Sequence, residues 1–208
     1  MDYNPKSDLE AGLSHLNLSI SEQQIDQLLA YLALLQKWNK AYNLTAIRDP
    51  KQMLIKHILD SVAIAPYVER TDLIDVGSGA GLPGIPMAIL YPDMPIVTLD
   101  SNGKKTRFQH QVKVELNLSN LEVVHGRVEA FAGRTFQQVT SRAFASIEDM
   151  VTLSAELLAD QGLFLAMKGR YPDQELADLP TQYHLIESYP LQVPGLDEER
   201  HLLKIGRV

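Results

Sequence analysis

The segment LIDVGSGAGLPGIPMAIL, from Leu73 to Leu90, places four glycines within eight residues, between two apolar stretches. The first stretch, Leu73–Val76, predicts a buried strand, and residues 84–91 predict a helix. A glycine-rich turn lets the backbone approach a ligand closely. Because ligands of open α/β sheets bind beyond the carboxyl ends of the strands, this turn is the expected ligand site.

Short apolar segments alternate with helical ones after this turn. Further strands are predicted at Ile96–Asp100, Leu121–His125, Val139–Arg142 and Leu163–Lys168, with helices at roughly 103–117 and 146–159 and a short helical turn near 127–131. This alternation predicts βαβ units and a parallel sheet. His184–Pro190 and His201–Ile205 have a proline-rich connection without a helix, which predicts an antiparallel pair. We therefore expect an α/β fold with a mostly parallel, doubly wound sheet and an antiparallel C-terminal edge.

Two helices are predicted before the sheet. Residues 21–42 carry apolar side chains at helical spacing, and Ser21 with Gln24 offers a capping box, for which Ser19 with Glu22 is an alternative. A second helix is predicted from Pro50 to about Ala65, because Pro66 ends it. We expect residues 1–66 to form a helical N-terminal extension packed on one globular unit of residues 67–208.

The composition limits the classes of protein and the kinds of site that are compatible with this chain. Of the 208 residues, 45% are hydrophobic and 22% charged, which is typical of a globular protein, and cysteine is absent. The absence of cysteine excludes disulfides, thiolate metal sites and a cysteine nucleophile. A net charge of −7 argues against an extended nucleic-acid-binding surface but permits a local basic patch. We expect a cytoplasmic monomer with no secretory signal, membrane partner or metal.

The chemistry around the glycines favours a cationic nucleoside. Residues 79–84 match the spacing G-x-G-x-x-G, but the glycine directly after the strand is Gly77, so the dinucleotide register does not fit. Asp75 in the strand disfavours a phosphate, and Asp100 at the end of the next strand is placed to accept hydrogen bonds from ribose hydroxyls. S-adenosylmethionine, a nucleoside with a positive charge and no phosphate, fits the glycine turn and both acids. The alternative is that Asp75 and Asp100 only cap a helix and a turn.

The segment DVGSGAGLPG, from Asp75 to Gly84, resembles the donor loop of the ribosomal RNA small-subunit methyltransferase G family, also called glucose-inhibited division protein B. The resemblance covers nearly the whole chain and includes Trp38–Lys40, Asn43–Ile47, His57–Ser61, Leu99–Ser101, Gly103–Lys105, Arg127–Glu129, Ser141–Ala145, Lys168–Gly169 and Glu199–His201. It implies a Rossmann-like class I methyltransferase that transfers a methyl group from S-adenosylmethionine to N7 of a guanine in 16S rRNA.

The resemblance also implies donor-binding residues. Gly77 and Leu82 are expected to form the loop around the donor, which also contains Gly79, and Val128 and Glu129 are expected near the adenine. With Asp100 and Arg142, this completes the predicted donor site. Arg142 contacts either the donor carboxylate or the RNA, and the sequence does not decide between them. No catalytic base is assigned, because guanine N7 has a lone pair and no proton to lose.

A local basic segment is the candidate RNA contact. Residues 103–113 contain four positive charges and no acid, and among them Lys104, Lys105 and Arg107 are the predicted phosphate contacts. Lys168 is predicted to extend this patch around the active site, together with Arg142 and Arg200. The alternative is an ordinary solvated helix face. Phe144 either stacks on the target guanine or packs in the core.

Other functions are less consistent with these residues. A nicotinamide-dependent oxidoreductase conflicts with Asp75 and with the glycine register. Methylation of pyrimidine C5 normally uses a cysteine, and methylation of exocyclic amines uses an Asn/Asp-Pro-Pro-aromatic turn where this chain has Ser141–Phe144. A binding-only ribosome-assembly factor with a vestigial donor site, and a methyltransferase with a different acceptor, remain alternatives.

Overall fold

The fold is a seven-stranded sheet with helices on its faces. The structure, a computed structural model, describes residues 3–142 and 144–208. The strands lie in the order β3-β2-β1-β4-β5-β7-β6, parallel from β3 to β5 and antiparallel for β7 and β6. Their bounds are β1 Leu73–Val76, β2 Ile96–Asp100, β3 Leu121–His125, β4 Phe136–Ser141, β5 Leu158–Lys168, β6 Tyr183–Pro190 and β7 His201–Arg207. The predicted doubly wound sheet with an antiparallel C-terminal edge is confirmed.

The helices connect the strands and precede them. They are α1 Pro5–His15, α2 Glu22–Tyr42, α3 Pro50–Met53, α4 Asp60–Val62, α5 Gly84–Leu90, α6 Gly103–Glu115, α7 Ile147–Leu153 and α8 Asp173–Ala177. A π-helix, Leu54–Leu59, joins α3 to α4, and single 3₁₀ turns lie at Ala65–Tyr67, Val128–Ala130 and Ala155–Leu157. None of the helices in the described ranges is long and apolar enough to cross a membrane.

Helix α2 packs directly behind the glycine-rich turn. Its capping box is formed by Ser21 and Gln24, as the sequence predicts. The buried Tyr31 hydroxyl donates to Ala80 O at 2.8 Å, and Gln24 Nε2 donates to Ile89 O and Leu90 O at the end of α5. The N-terminal helices share a hydrophobic core with the sheet. Helix α2 therefore supports the turn from one side.

The bounds predicted for three elements are wrong, and one helix was not predicted. The helix predicted for residues 146–159 ends at Leu153, because Leu158 pairs with Phe136 and begins β5 five residues before the predicted start at Leu163. Strand β4 correspondingly covers Phe136–Ser141 rather than Val139–Arg142. Helix α1 was not predicted, although Asn4 caps it by accepting from the amides of Lys6 and Ser7.

Candidate functional site

The glycine-rich turn begins directly after β1. Gly77 and Gly79 have φ values of 67° and 62°, in the left-handed region that favours glycine. Gly77 N donates to Leu99 O at 2.8 Å, which ties the turn to β2. Gly79 N donates to Asp100 Oδ2 at 2.7 Å, and Gly79 O accepts from Gln109 Nε2 at 2.7 Å. Hydrogen bonds to β2 and α6 thus hold the turn on both sides. Because Gly77 has no side chain, only its backbone lines the cavity beside the turn.

A cavity of about 280 Å³ lies at the carboxyl ends of β1, β2 and β3. We call it the donor cavity. Its wall combines backbone and polar groups from the strand ends with apolar side chains from the segment after β4 and from α7. The lining residues are Val76, Gly77, Leu99, Asp100, Ser101, Gly126, Arg127, Val128, Glu129, Phe144 and Leu153.

Asp100 links the glycine turn to the donor cavity. Its Oδ2 accepts from Gly79 N at 2.7 Å and its Oδ1 accepts from Asn102 N at 2.8 Å. A carboxylate oxygen has two lone pairs, so each oxygen keeps acceptor capacity for a ligand. The side chain is therefore fixed in position by the backbone and still able to accept from a hydroxyl in the cavity.

Asp75 has a different role from the one its position suggests. It is fully buried and does not line the donor cavity. Its Oδ2 accepts from Gly84 N, the first residue of α5, at 2.8 Å. Burial raises the pKa of the Asp75 carboxyl to about 7, although the bond from Gly84 lowers it. The alternative stated above, a helix cap, therefore describes Asp75, and the argument from its charge against a phosphate does not hold.

The predicted donor residues are brought together only in part. Gly77, Asp100, Val128 and Glu129 line the donor cavity. Gly79 lies in the adjoining turn, whereas Leu82 is buried in the hydrophobic core at 6% exposure. Arg142 faces a different cavity. Contact between these residues and a donor stays a prediction.

A second cavity, of about 300 Å³, lies at the carboxyl ends of β4 and β5 and the start of β7. We call it the basic cavity. Its lining residues are Asp60, Arg142, Met167, Lys168, Gly169, Leu191, Arg200 and His201. Asp60, 4% exposed, accepts from Arg142 Nη1 at 3.0 Å and from Arg200 Nε at 3.1 Å. Burial raises the pKa of Asp60 and the two guanidiniums oppose this shift.

The predicted RNA contacts fall on two sides of the donor cavity. Lys104, Lys105 and Arg107 lie in the first two turns of α6, directly after β2, and form none of the ion pairs found across residues 3–142 and 144–208. Lys105 Nζ lies beside Gly79. Lys168, in the basic cavity, pairs with Glu175 at 2.7 Å. Binding of RNA by these residues stays a prediction.

Two of the residues that line the donor cavity, Gly126 and Leu153, lie outside every motif named from the sequence. Leu153 lies at the end of α7, and no local motif marks it. His57, Asp60 and Ser61, which resemble parts of a hydrolase triad in sequence, do not form one. His57 Nε2 hydrogen-bonds with Thr45 Oγ1 at 2.9 Å, and burial lowers the pKa of His57 to about 4, helped by the Arg142 charge.

A seven-stranded sheet of this order, with a glycine turn after β1 and an acid at the end of β2, defines the class I methyltransferase fold. Solved structures share it. The glycopeptide N-methyltransferase MtfA complexed with S-adenosylmethionine has a TM-score of 0.62 and is 14% identical, covering 73% of this chain and 95% of that one. TYW2 from M. jannaschii in complex with AdoMet has a TM-score of 0.59 and is 15% identical, covering 73% and 76%.

Similarity in amino-acid sequence identifies the family to which the chain belongs. The family model described as rRNA small subunit methyltransferase G matches residues 24–203, and the chain belongs to this family. The ribosomal RNA small subunit methyltransferase G of Marinobacter nauticus is 54% identical over 200 residues, covering 96% of this chain and 94% of the relative. The protein of that name from Shewanella frigidimarina is 51% identical over 200 residues, covering 96% and 97%. The predicted family is confirmed.

Proposed function

We propose that this protein transfers a methyl group from S-adenosylmethionine to N7 of a guanine in the 16S rRNA of the small ribosomal subunit. The observation that carries the proposal is the donor cavity, in which the bare backbone of Gly77, the carboxylate of Asp100 and the pair Val128–Glu129 meet. Its supporting context is the family to which the chain belongs. The N7 position comes from the resemblance to that family.

The donor cavity fits the parts of S-adenosylmethionine. Asp100 has free lone pairs for the two ribose hydroxyls. Val128, Phe144 and Leu153 offer apolar surface to the adenine, and the exposed Glu129 carboxylate can accept from its amine. Gly77 adds no side chain, which leaves room for the amino-acid part. When bound, S-adenosylmethionine supplies an electrophilic methyl group on a sulfonium.

The acceptor chemistry requires little of the protein beyond orientation. Guanine N7 already has a lone pair in the plane of the ring and carries no proton, so no side chain has to act as a general base. Positioning of two reactants can by itself supply roughly 7–11 kcal/mol of a reaction barrier. The residues of this site accordingly serve to bind, to orient and to exclude water.

RNA contact is proposed for the basic residues that flank the donor cavity. Lys104, Lys105 and Arg107 project from the start of α6 beside the glycine turn, where no acid of the same helix turn neutralises them. Phosphates bound there would release counterions, so binding should weaken as salt rises. The protein is proposed to act as a cytoplasmic monomer on the small subunit or on its rRNA.

The proposed function is tested by the transfer of a labelled methyl group from S-adenosylmethionine to RNA. The protein is incubated with methyl-labelled S-adenosylmethionine and either unmodified small subunits or naked 16S rRNA, and the recovered RNA is digested to nucleosides for mass spectrometry. Labelled 7-methylguanosine is the expected product. A different methylated nucleoside would refute the N7 assignment. Donor binding without any label in RNA would instead favour the binding-only assembly factor.

A further inference from the structure

The end of helix α2 carries a pair of packed aromatic rings at the protein surface. Trp38 and Tyr42 lie one helical turn apart, with ring centroids 5.1 Å apart and an angle of 30° between the ring planes. Trp38 also packs against the fully buried Phe108 of α6, with centroids 5.6 Å apart. Tyr42, the last residue of α2, remains 40% exposed. We call Trp38 and Tyr42 the aromatic platform, which is anchored in the core through Trp38 and open to solvent at Tyr42.

The aromatic platform lies on the same edge of the sheet as the donor cavity. In the first half of α2, Gln27 Nε2 donates at 2.9 Å to Leu116 O, directly after the end of α6. Near the end of α2, Trp38 meets Phe108 in the second turn of α6. The two helices therefore run antiparallel, so the end of α2 lies beside the start of α6. That start follows β2, and its Lys105 Nζ lies beside the glycine turn.

Positively charged side chains from two parts of the chain lie close to the aromatic platform. Lys104 and Lys105 precede Phe108 by about one turn of α6 and therefore share its side of the helix. Arg48 lies at the end of α2, where its Nη2 donates at 2.9 Å to Oδ1 of Asn43, the residue that follows Tyr42. None of the three cations forms an ion pair within the part of the chain that the structure describes.

An exposed ring beside unpaired cations suits single-stranded RNA. The sequence around the platform contains no acid, since residues 37–48 and 101–113 include neither aspartate nor glutamate, although the chain has a net charge of −7. Cations of this kind bind phosphates with release of counterions. Unpaired bases stack on exposed aromatic rings whatever their sequence. RNA uses both features, whereas a polyanion without bases would use only the cations.

We propose that the aromatic platform binds unpaired RNA beside the donor cavity, with a base stacked on Tyr42 and phosphates bound by Arg48, Lys104 and Lys105. The inference rests on the proposed function, because it takes RNA as the partner. It adds a stacking surface on the N-terminal extension, which the basic residues of α6 alone do not provide. Trp38 supports the Tyr42 ring on one side and leaves the exposed part of that ring to the base.

The stacking is tested with a labelled adenylate decamer, whose Kd is measured by fluorescence anisotropy, and with polyphosphate as a ligand that has charge but no base. In Tyr42→Ala, the Kd for the decamer should rise about 5- to 150-fold, as expected for the loss of one stacked base. The Kd for polyphosphate should change by less than about twofold, because the cations remain. Tyr42→Phe keeps the ring and should restore the wild-type affinity for the decamer.

The charge contacts are tested by the salt dependence of the same binding. Arg48→Gln should reduce the slope of log affinity for the decamer against log salt by about 0.7, the value for one phosphate contact on a single strand. The matched control is Arg134→Gln, which removes the same charge just before β4, at the opposite edge of the sheet, and should leave the slope unchanged. Equal slopes in the two variants would overturn the assignment of Arg48.

The single tryptophan of the chain gives an independent measure, since it belongs to the platform. Saturation with the decamer should change the emission of Trp38, and polyphosphate should not. A wild-type Kd for the decamer in Tyr42→Ala overturns the inference. Equal losses of affinity for the decamer and for polyphosphate overturn it too, because they would show a general loss of binding. The proposed function fails separately, if the wild-type protein binds the decamer but transfers no methyl group to small subunits.

Discussion

Asp100→Asn is the most informative single change in the donor cavity. The carboxylate accepts from Gly79 N at 2.7 Å and from Asn102 N at 2.8 Å, and it keeps lone pairs for the ribose hydroxyls. An asparagine keeps one acceptor oxygen and turns the other position into a donor. One of the two backbone amides then faces an NH₂ group, at a cost of about 1–3 kcal/mol in the free energy of unfolding.

The effect on the donor is separate from this cost. Loss of hydrogen bonds to a charged acceptor removes about 1.5–3 kcal/mol, which is roughly a 10- to 140-fold increase in the Kd for S-adenosylmethionine. Calorimetry measures the Kd, and urea denaturation measures the stability. Asp49→Asn is the matched control, because Asp49 also accepts a backbone amide, from Gln52 at 2.8 Å, but belongs to α3. A folded Asp100→Asn variant with the wild-type Kd would refute the assignment of Asp100 to the donor.

Three further changes test other parts of the structure. In Gly84→Ala, the new Cβ would lie 2.5 Å from Thr98 Cγ2, so urea denaturation should show that the free energy of unfolding falls by about 1–3 kcal/mol. The control is Gly126→Ala, whose Cβ meets only Leu99 Cδ1 at 3.8 Å and whose free energy of unfolding should fall clearly less. An equal fall in both variants would contradict the packing argument. Burial raises the pKa of Asp75 from 3.8 to about 7, so the folded state binds more protons and the free energy of unfolding should fall as the pH rises between these values. This fall should be smaller in Asp75→Asn, and parallel pH profiles would show that Asp75 does not titrate in this range. Replacing Lys104 and Lys105 together by Ala should reduce the slope of log affinity for rRNA against log salt by about 1–2 without changing the Kd for the donor, and an unchanged slope would remove both lysines from the RNA contact.

The parts of the fold that follow from local patterns were predicted well. Strands β1, β2 and β3 are short apolar segments with clear ends, and their predicted bounds agree with the structure. The start of β5 was not predicted, since the apolar spacing around Leu157 and Leu158 also fits the end of a helix. Pairing of Leu158 with Phe136 decides in favour of the strand, and pairing between distant residues is not visible in a local pattern.

In the candidate site, too, the residues that follow from local patterns were predicted, and the contacts between distant parts of the chain were not. Gly77, Asp100, Val128 and Glu129 lie at or just after the carboxyl ends of β1, β2 and β3, so the parallel sheet alone is enough to bring them together. The contacts of Asp60 could not be predicted in this way, because Arg142 and Arg200 are 82 and 140 positions away. Asp75 was interpreted wrongly because its position in the strand does not reveal that Gly84 N lies 2.8 Å from its carboxylate.

Methylation at N7 of one guanine in small-subunit rRNA is the activity proposed for this site. The most direct measurement is cleavage with borohydride and aniline, which breaks RNA at 7-methylguanine, mapped by primer extension after incubation of unmodified subunits with the protein and S-adenosylmethionine. A single strong cleavage site that appears only with both components is the predicted result. RNA that acquires methyl label but shows no new cleavage would mean that the protein methylates an atom other than guanine N7.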